Sequence, residues 1–114
     1  MIDIVDHVVT TLATTRIPVL FNTVPTGTDI PDQYITFLEI DAKPAFEASD
    51  REYETERLIQ VNVWSKSNYY QLVEDIKRLM ESAGYERTFE YDAPYQEGDS
   101  HLNKVLRFVF FDEY

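Results

Sequence analysis

The chain has 114 residues, of which 44% are hydrophobic and 14% aromatic, enough for one domain with a single core. Its formal net charge of −11 argues against a free nucleic-acid binder, which needs a basic face. The absence of cysteine excludes disulfide bonds, thiol nucleophiles and thiolate metal sites. No run of about 18 apolar residues occurs, so we expect no membrane partner.

A helix and two strands are predicted at the start of the chain. Apolar residues at helical spacing predict an amphipathic helix over residues 2–15. The apolar run 19–21 predicts a short strand, and residues 22–33 predict a polar loop rich in Pro, Gly, Thr and Asp. Residues 34–40 predict a second strand. Because both faces of this strand are mostly apolar, we expect it to be covered on both sides.

The polar composition of residues 41–56 predicts a long loop, which carries much of the negative charge of the chain. Seven acids and two basic residues lie within residues 39–56. Loops of this length are usually functional or mobile. We therefore regard this loop as the first candidate for functional side chains.

The clearest strand and helix follow directly on one another. Residues 58–64 alternate between apolar and polar side chains and predict a strand. Ser67 or Asn68 is expected to cap the helix that follows, with Gln71 completing the cap. Gly84 is suited to the left-handed position that ends a helix. The predicted apolar helix face consists of Leu72, Ile76, Leu79, Met80 and Ala83.

Two strands complete the chain, at residues 87–91 and 105–111, with a polar loop over 93–103 between them. The predicted order is α-β-β-β-α-β-β. We expect an α+β two-layer sandwich in a single domain over residues 1–114, with a mostly antiparallel sheet and helices on one face. The tyrosines and the edge of the closing strand are candidates for contacts with neighbouring proteins.

The patterns that accompany catalysis or metal binding do not occur in this sequence. His7 and His101 have no further zinc ligands at suitable spacing, and the acids at 29–32 and 50–56 lack the ligand order and glycine of a calcium loop. The serines lack a nucleophile-elbow context, and the three glycines form no phosphate-binding loop. We predict that the protein is not an enzyme and uses no metal or cofactor. An enzyme with a carboxylate pair stays an open alternative.

Three segments carry a family resemblance: ITFLEI, QVNVWSKSNYYQLVEDIKRLMESAGY and KVLRFVFF. With the acidic loop, they resemble the small tail-completion or tail-terminator proteins of long-tailed bacteriophages and prophages, over about residues 30–111. The resemblance implies a small α/β domain without catalytic residues. It implies a hexameric ring at the head-proximal end of the tail tube that stops tail polymerisation and joins the tail to the head. The implied partners are further copies of the chain, the tail-tube protein and a head-completion or connector protein.

DNA passes through such a ring without being bound specifically, and carboxylates lining the channel repel its phosphates. The hypothesis assigns this lining to the two acidic loops, which alternatively dock on tail-tube or connector subunits. The candidate residues are Glu47, Asp50, Arg51, Glu52, Glu54, Glu56, Glu97 and Asp99.

Two other functions stay open at this point, namely another head–tail connector protein and an acidic binding module that mimics DNA. If the chain is a tail-completion or tail-terminator protein, we expect a virion protein that is made in the cytoplasm of the bacterial host. We expect a monomer or weak oligomer in dilute solution and a ring in the particle.

Overall fold

The computed structural model describes residues 2–44 and 54–113. These residues form α1 (Ile4–Leu12), a short 3-10 turn (Ala13–Thr15), β1 (Val19–Phe21), β2 (Gln33–Pro44), β3 (Glu54–Ser65), α2 (Tyr70–Ser82), β4 (Glu86–Ala93) and β5 (Leu102–Glu113). The order α-β-β-β-α-β-β and the α+β class agree with the prediction. Among the described residues, neither helix has the length and apolar character needed to cross a membrane.

The five strands form one sheet in the order β1-β2-β3-β5-β4. β1 is parallel to β2, and the other three pairings are antiparallel. The predicted mostly antiparallel sheet is therefore confirmed. β5 lies between β3 and β4, so the expectation that the closing strand offers a free edge is wrong. The edges of the sheet are β1 and β4.

Both helices pack on the same face of the sheet. Strand side chains alternate between faces, so every second residue of β3 points towards the helices. The core that results consists of Ile4, Val8, Leu12, Ile35, Phe37, Ile59, Val61, Val63, Val73, Ile76, Met80, Tyr85, Leu106 and Phe108. Val73, absent from the predicted helix face, is buried, whereas Leu72, Leu79 and Ala83 are only partly buried.

Local polar contacts fix the ends of the helices. The Asp3 carboxylate accepts hydrogen bonds from the backbone N–H groups of Val5 and Asp6 and so caps α1. The N-cap residue of α2 is Tyr69, without a side-chain capping hydrogen bond, so the prediction of Ser67 or Asn68 is wrong. Asn68 still accepts a hydrogen bond from the Tyr70 N–H at 2.8 Å. The expected contribution of Gln71 to this cap is wrong, because its amide donates to Asp75 one turn further on.

The strands are longer than predicted, and the loops are correspondingly shorter. β2 continues to Pro44 and β3 begins at Glu54, with a register shift between Glu39 and Asp41. The predicted loop over 41–56 is too long because pairing with neighbouring strands overrides its polar composition. For the same reason the loop predicted over 93–103 is reduced to residues 94–101.

Candidate assembly surfaces

One face of the sheet lies opposite the helices, and we call it the open face. Its centre is formed by Leu58, Gln60, Asn62 and Trp64 of β3, Asn103, Val105, Arg107, Val109 and Phe111 of β5, and Phe89, Tyr91 and Ala93 of β4. Phe89, Tyr91 and Phe111 are 47%, 42% and 41% exposed. The expectation that β2 is covered on both sides holds only for its first half, where Tyr34 and Thr36 are buried, whereas Leu38 is half-exposed.

Arg107 is the charged side chain in the middle of this face, and Asp41, Glu56 and Glu86 lie towards one end of it, paired with Leu58, Phe111 and Val109. The Arg107 Nε donates to the Gln60 Oε1 at 3.1 Å, and its guanidinium carbon lies 5.3 Å from the centroid of the Phe89 ring. The Phe89 and Tyr91 rings are 5.4 Å apart. Aromatic residues and arginine are enriched in protein–protein interfaces, whereas other charged residues are depleted at their centres. The open face has this composition.

A ladder of amides fixes the polar part of the same face. The Gln60 amide donates to the Asn62 Oδ1 at 3.1 Å, and the Asn62 amide donates to the Asn103 Oδ1 at 3.3 Å. Because these amides satisfy one another, a partner covers this part of the face at a smaller desolvation cost than it would for unpaired amides.

The acidic residues predicted to line a channel are not brought together by the described part of the structure. Glu47, Asp50, Arg51 and Glu52 lie outside the described residues. Glu54 and Glu56 lie at the start of β3, whereas Glu97 and Asp99 lie in the loop after β4. This loop adjoins the other end of β3, because Ala93 pairs with Asn103, which pairs with Trp64. A strand of this length spans about 36 Å, so the two sets lie at opposite ends of the subunit, and which of them faces a channel stays a prediction.

On the helix side of the sheet, beyond the apolar core, an ion cluster missed in the sequence joins β2, β3 and β5. The Arg57 guanidinium donates to both Glu39 oxygens, at 2.6 and 2.9 Å, and to the Asp112 Oδ2 at 2.9 Å. Asp112 also accepts from the Ile2 N–H at 3.3 Å. The hydrogen bond to Glu39, with that to Asp112, raises the pKa of Arg57 despite its burial. Because Glu39, Arg57 and Asp112 lie far apart in the sequence, no local pattern predicts this cluster. We interpret it as a structural clamp that holds the three strands together.

A second ion cluster connects α2 to β4 and β5. The Lys77 Nζ lies 2.9 Å from Glu90, and Lys104 lies 3.4 Å from Asp92. Tyr69 donates a hydrogen bond to Asp92. Burial, then this hydrogen bond, raises the pKa of Tyr69 to about 12. Both lysines are largely buried, at 16% and 15% side-chain exposure, and they pair with acids that are more exposed than they are.

The two histidines lie in separate environments. The His7 Nδ1 is 2.8 Å from the Tyr85 hydroxyl, which is buried under α1. The His101 Nε2 is 2.8 Å from the Pro31 carbonyl oxygen. Among the described residues, no group of three or more His, Cys, Asp or Glu side chains is placed to hold a metal ion.

No protein-family model matches this chain, and no curated protein sequence matches it either. The open face and the acidic segments are therefore the features that indicate a function.

Proposed function

We propose that this chain is a phage tail subunit that forms a ring with copies of itself at the head-proximal end of the tail tube. The ring ends tail polymerisation and joins the tail to the head connector. The open face is the observation that carries this proposal. The resemblance of residues 60–85, which include the second half of β3 and all of α2, supplies the phage context.

The size of the open face suits a contact between subunits. The four longer strands, about 4.8 Å apart and 8 to 12 residues long, give a face of roughly 600–700 Å². Stable interfaces bury about 800 Å² on each partner. A neighbouring subunit that covers most of this face therefore buries an area within the usual range.

The charge distribution suits the same arrangement. The chain carries a net charge of −11, yet the middle of the open face carries Arg107, and the acids of this face that pair with its residues, Asp41, Glu56 and Glu86, lie towards one end. Subunits that meet at this face keep most of their acids away from the contact, where repulsion between like charges is costly. The acids that stay exposed repel the phosphates of DNA that passes through the ring.

Phage particles that carry variants of this chain test the proposal. Deletion of the gene should give over-long tails or unjoined heads and tails in electron micrographs. Tyr91→Asp, which places a charge on the open face, should give the same defect as the deletion. Tyr70→Asp is the matched control, because Tyr70 is 67% exposed at the start of α2, on the helix side.

The phenotype of the deletion distinguishes a tail terminator from a connector protein. Joined tails of normal length in the deletion would contradict the proposal. Tails of normal length that fail to join heads would assign the chain to a connector position instead. In dilute solution we expect a monomer or weak oligomer by native mass spectrometry. A stable dimer at micromolar concentration would contradict assembly that waits for the tail.

A further inference from the structure

An aromatic cavity lies at the end of the sheet where the loop over 94–101 crosses it. Its volume is about 290 Å³. The side chains that matter for its chemistry are Tyr34, Trp64, Tyr95, Asp99, His101 and Asn103. Small-molecule sites usually enclose roughly 300–1,000 Å³, so this cavity lies at the small end of that range, and one long side chain is a suitable occupant.

Hydrogen bonds and ring contacts hold the inner wall of the cavity in place. The Trp64 Nε1 donates to the Thr36 Oγ1 at 3.0 Å, and the Trp64 and Tyr34 rings stack with centroids 5.8 Å apart. His101 meets the Tyr34 ring edge-on at 5.2 Å. Tyr34 and His101 are buried and hold the partly exposed Trp64 ring in place, so the aromatic surface that Trp64 and Tyr95 offer is formed before any ligand arrives, which lowers the entropic cost of binding.

The outer wall is a turn that closes on itself. The Tyr95 hydroxyl donates to the Asp99 carbonyl oxygen at 2.7 Å, and the Gln96 N–H donates to the Asp99 Oδ2 at 2.9 Å. Gly98 permits this turn with its φ of +97°. These contacts fix the Asp99 carboxylate at the cavity.

The charge at the cavity is negative. Asp99 is the one acid among the lining residues, Glu97 lies two positions before it, and residues 94–101 contain neither Lys nor Arg. Lys66 lies at a neighbouring depression and forms a 3.7 Å ion pair with Asp32. Aromatic faces beside a carboxylate attract cations. A planar guanidinium also stacks on aromatic rings, which an ammonium does not.

We propose that this cavity binds one basic side chain, arginine in preference to lysine, from an exposed segment of a partner protein. This inference does not depend on the proposed ring. It assigns the recognition of a basic partner segment to the end of the sheet that carries the loop over 94–101.

Trp64 gives a direct readout, because it is the only tryptophan in the chain and it lines the cavity. The intact protein is titrated with the peptide acetyl-Gly-Arg-Gly-amide at constant ionic strength while Trp64 fluorescence is recorded. We expect a saturable change in the millimolar range, since one side chain provides little contact area. The matching lysine peptide should bind several-fold more weakly, and the neutral citrulline peptide should give no saturable change.

Two variants separate the cavity from general attraction to an acidic protein. Asp99→Asn keeps an oxygen that accepts from Gln96 and should weaken binding of the arginine peptide about tenfold, because a charged partner is lost. Asp29→Asn removes the same charge from an exposed loop and should leave the affinity unchanged. Circular dichroism establishes that both variants are folded.

Three results would overturn the proposal. Equal affinity for the arginine and citrulline peptides would show that charge is not recognised. Unchanged affinity in Asp99→Asn would remove the carboxylate from the site. Saturable binding of a proline-rich peptide or a mononucleotide, without binding of the arginine peptide, would assign the aromatic surface to another class of partner.

Discussion

The two faces of the sheet use the same strands for different purposes. On the helix side, Ile59, Val61 and Val63 of β3 are at most 1% exposed. On the open side, Leu58, Gln60 and Asn62 of the same strand stay partly exposed, on the same face as the exposed aromatic rings of β4 two strands away. Stability of the subunit therefore depends mainly on the covered face, and we assign assembly to the open one.

Paired phenylalanine substitutions test this division most strongly. Phe108→Ala on the covered face removes a fully buried ring and should lower the free energy of unfolding by about 3–5 kcal/mol. Phe89→Ala on the open face should lower it by less than about 1 kcal/mol, because the ring is 47% exposed. Urea denaturation of the dilute monomer measures both. Equal losses would mean that the open face contributes to the subunit core.

Loss of Arg57 should have the next largest effect. Arg57→Ala leaves Glu39 and Asp112 without their cation and should cost about 2–3 kcal/mol. This value is below that of a fully buried pair because the side chains of Arg57 and Glu39 are 13% and 24% exposed. Arg78→Ala, on the exposed side of α2, is the control and should change the free energy of unfolding by less than about 0.5 kcal/mol. Similar losses in the two variants would show that the clamp contributes nothing specific.

Local signals in the sequence predicted much of the fold. The alternation over 58–64 identified which residues of β3 form the core, and Gly84 ends α2 with the left-handed φ that was expected. The ends of β2 and β3 were missed because Pro44 and Thr55 are held in the sheet by pairing between strands. Composition around these residues is polar, so no local pattern reveals that pairing.

The candidate surfaces were harder to predict than the fold. The alternation in β3 does not reveal that one face has no helix above it, because that depends on where both helices pack. The aromatic cavity joins Tyr34, Trp64 and His101, which meet only after β2, β3 and the loop over 94–101 come together. The acidic residues of the sequence also indicated the loop over 94–101, through Asp99, but the role predicted for Asp99 was to line a channel.

Two glycine substitutions offer a smaller test, one at Gly84 on the covered side and one at Gly98 in the loop over 94–101. Gly84 and Gly98 have φ values of +100° and +97°, which L-residues rarely adopt. Alanine at either position should lower the free energy of unfolding by about 1 kcal/mol. A Cβ on Gly84 would lie 3.4 Å from the Phe110 ring, whereas one on Gly98 would meet no atom within 4 Å. The loss at Gly84 should therefore equal or slightly exceed the loss at Gly98, and thermal unfolding of the two variants tests this order.

The smallest expected effect is a pH dependence of the free energy of unfolding, caused by Glu90 beneath α2. Burial alone would raise the pKa of Glu90, but the hydrogen bond and charge of Lys77, with the charges of Lys104 and Arg87, lower it below its ordinary value of 4.5. A carboxyl group with a lowered pKa stabilises the folded state above that ordinary value. This contribution is lost as the pH falls through the lower folded value.

Glu90→Gln should therefore be less stable than the unmodified chain at neutral pH, and the difference should shrink towards about pH 3. Glu86→Gln, at an exposed position of the same strand, is the control and should show no such convergence. Urea denaturation at the two pH values measures the difference. Because Glu90 lies on the helix side of β4 and Tyr91 faces the open side, Glu90→Gln should leave assembly at neutral pH intact. Loss of assembly in Glu90→Gln, with the subunit still folded, would show that the two faces are not independent.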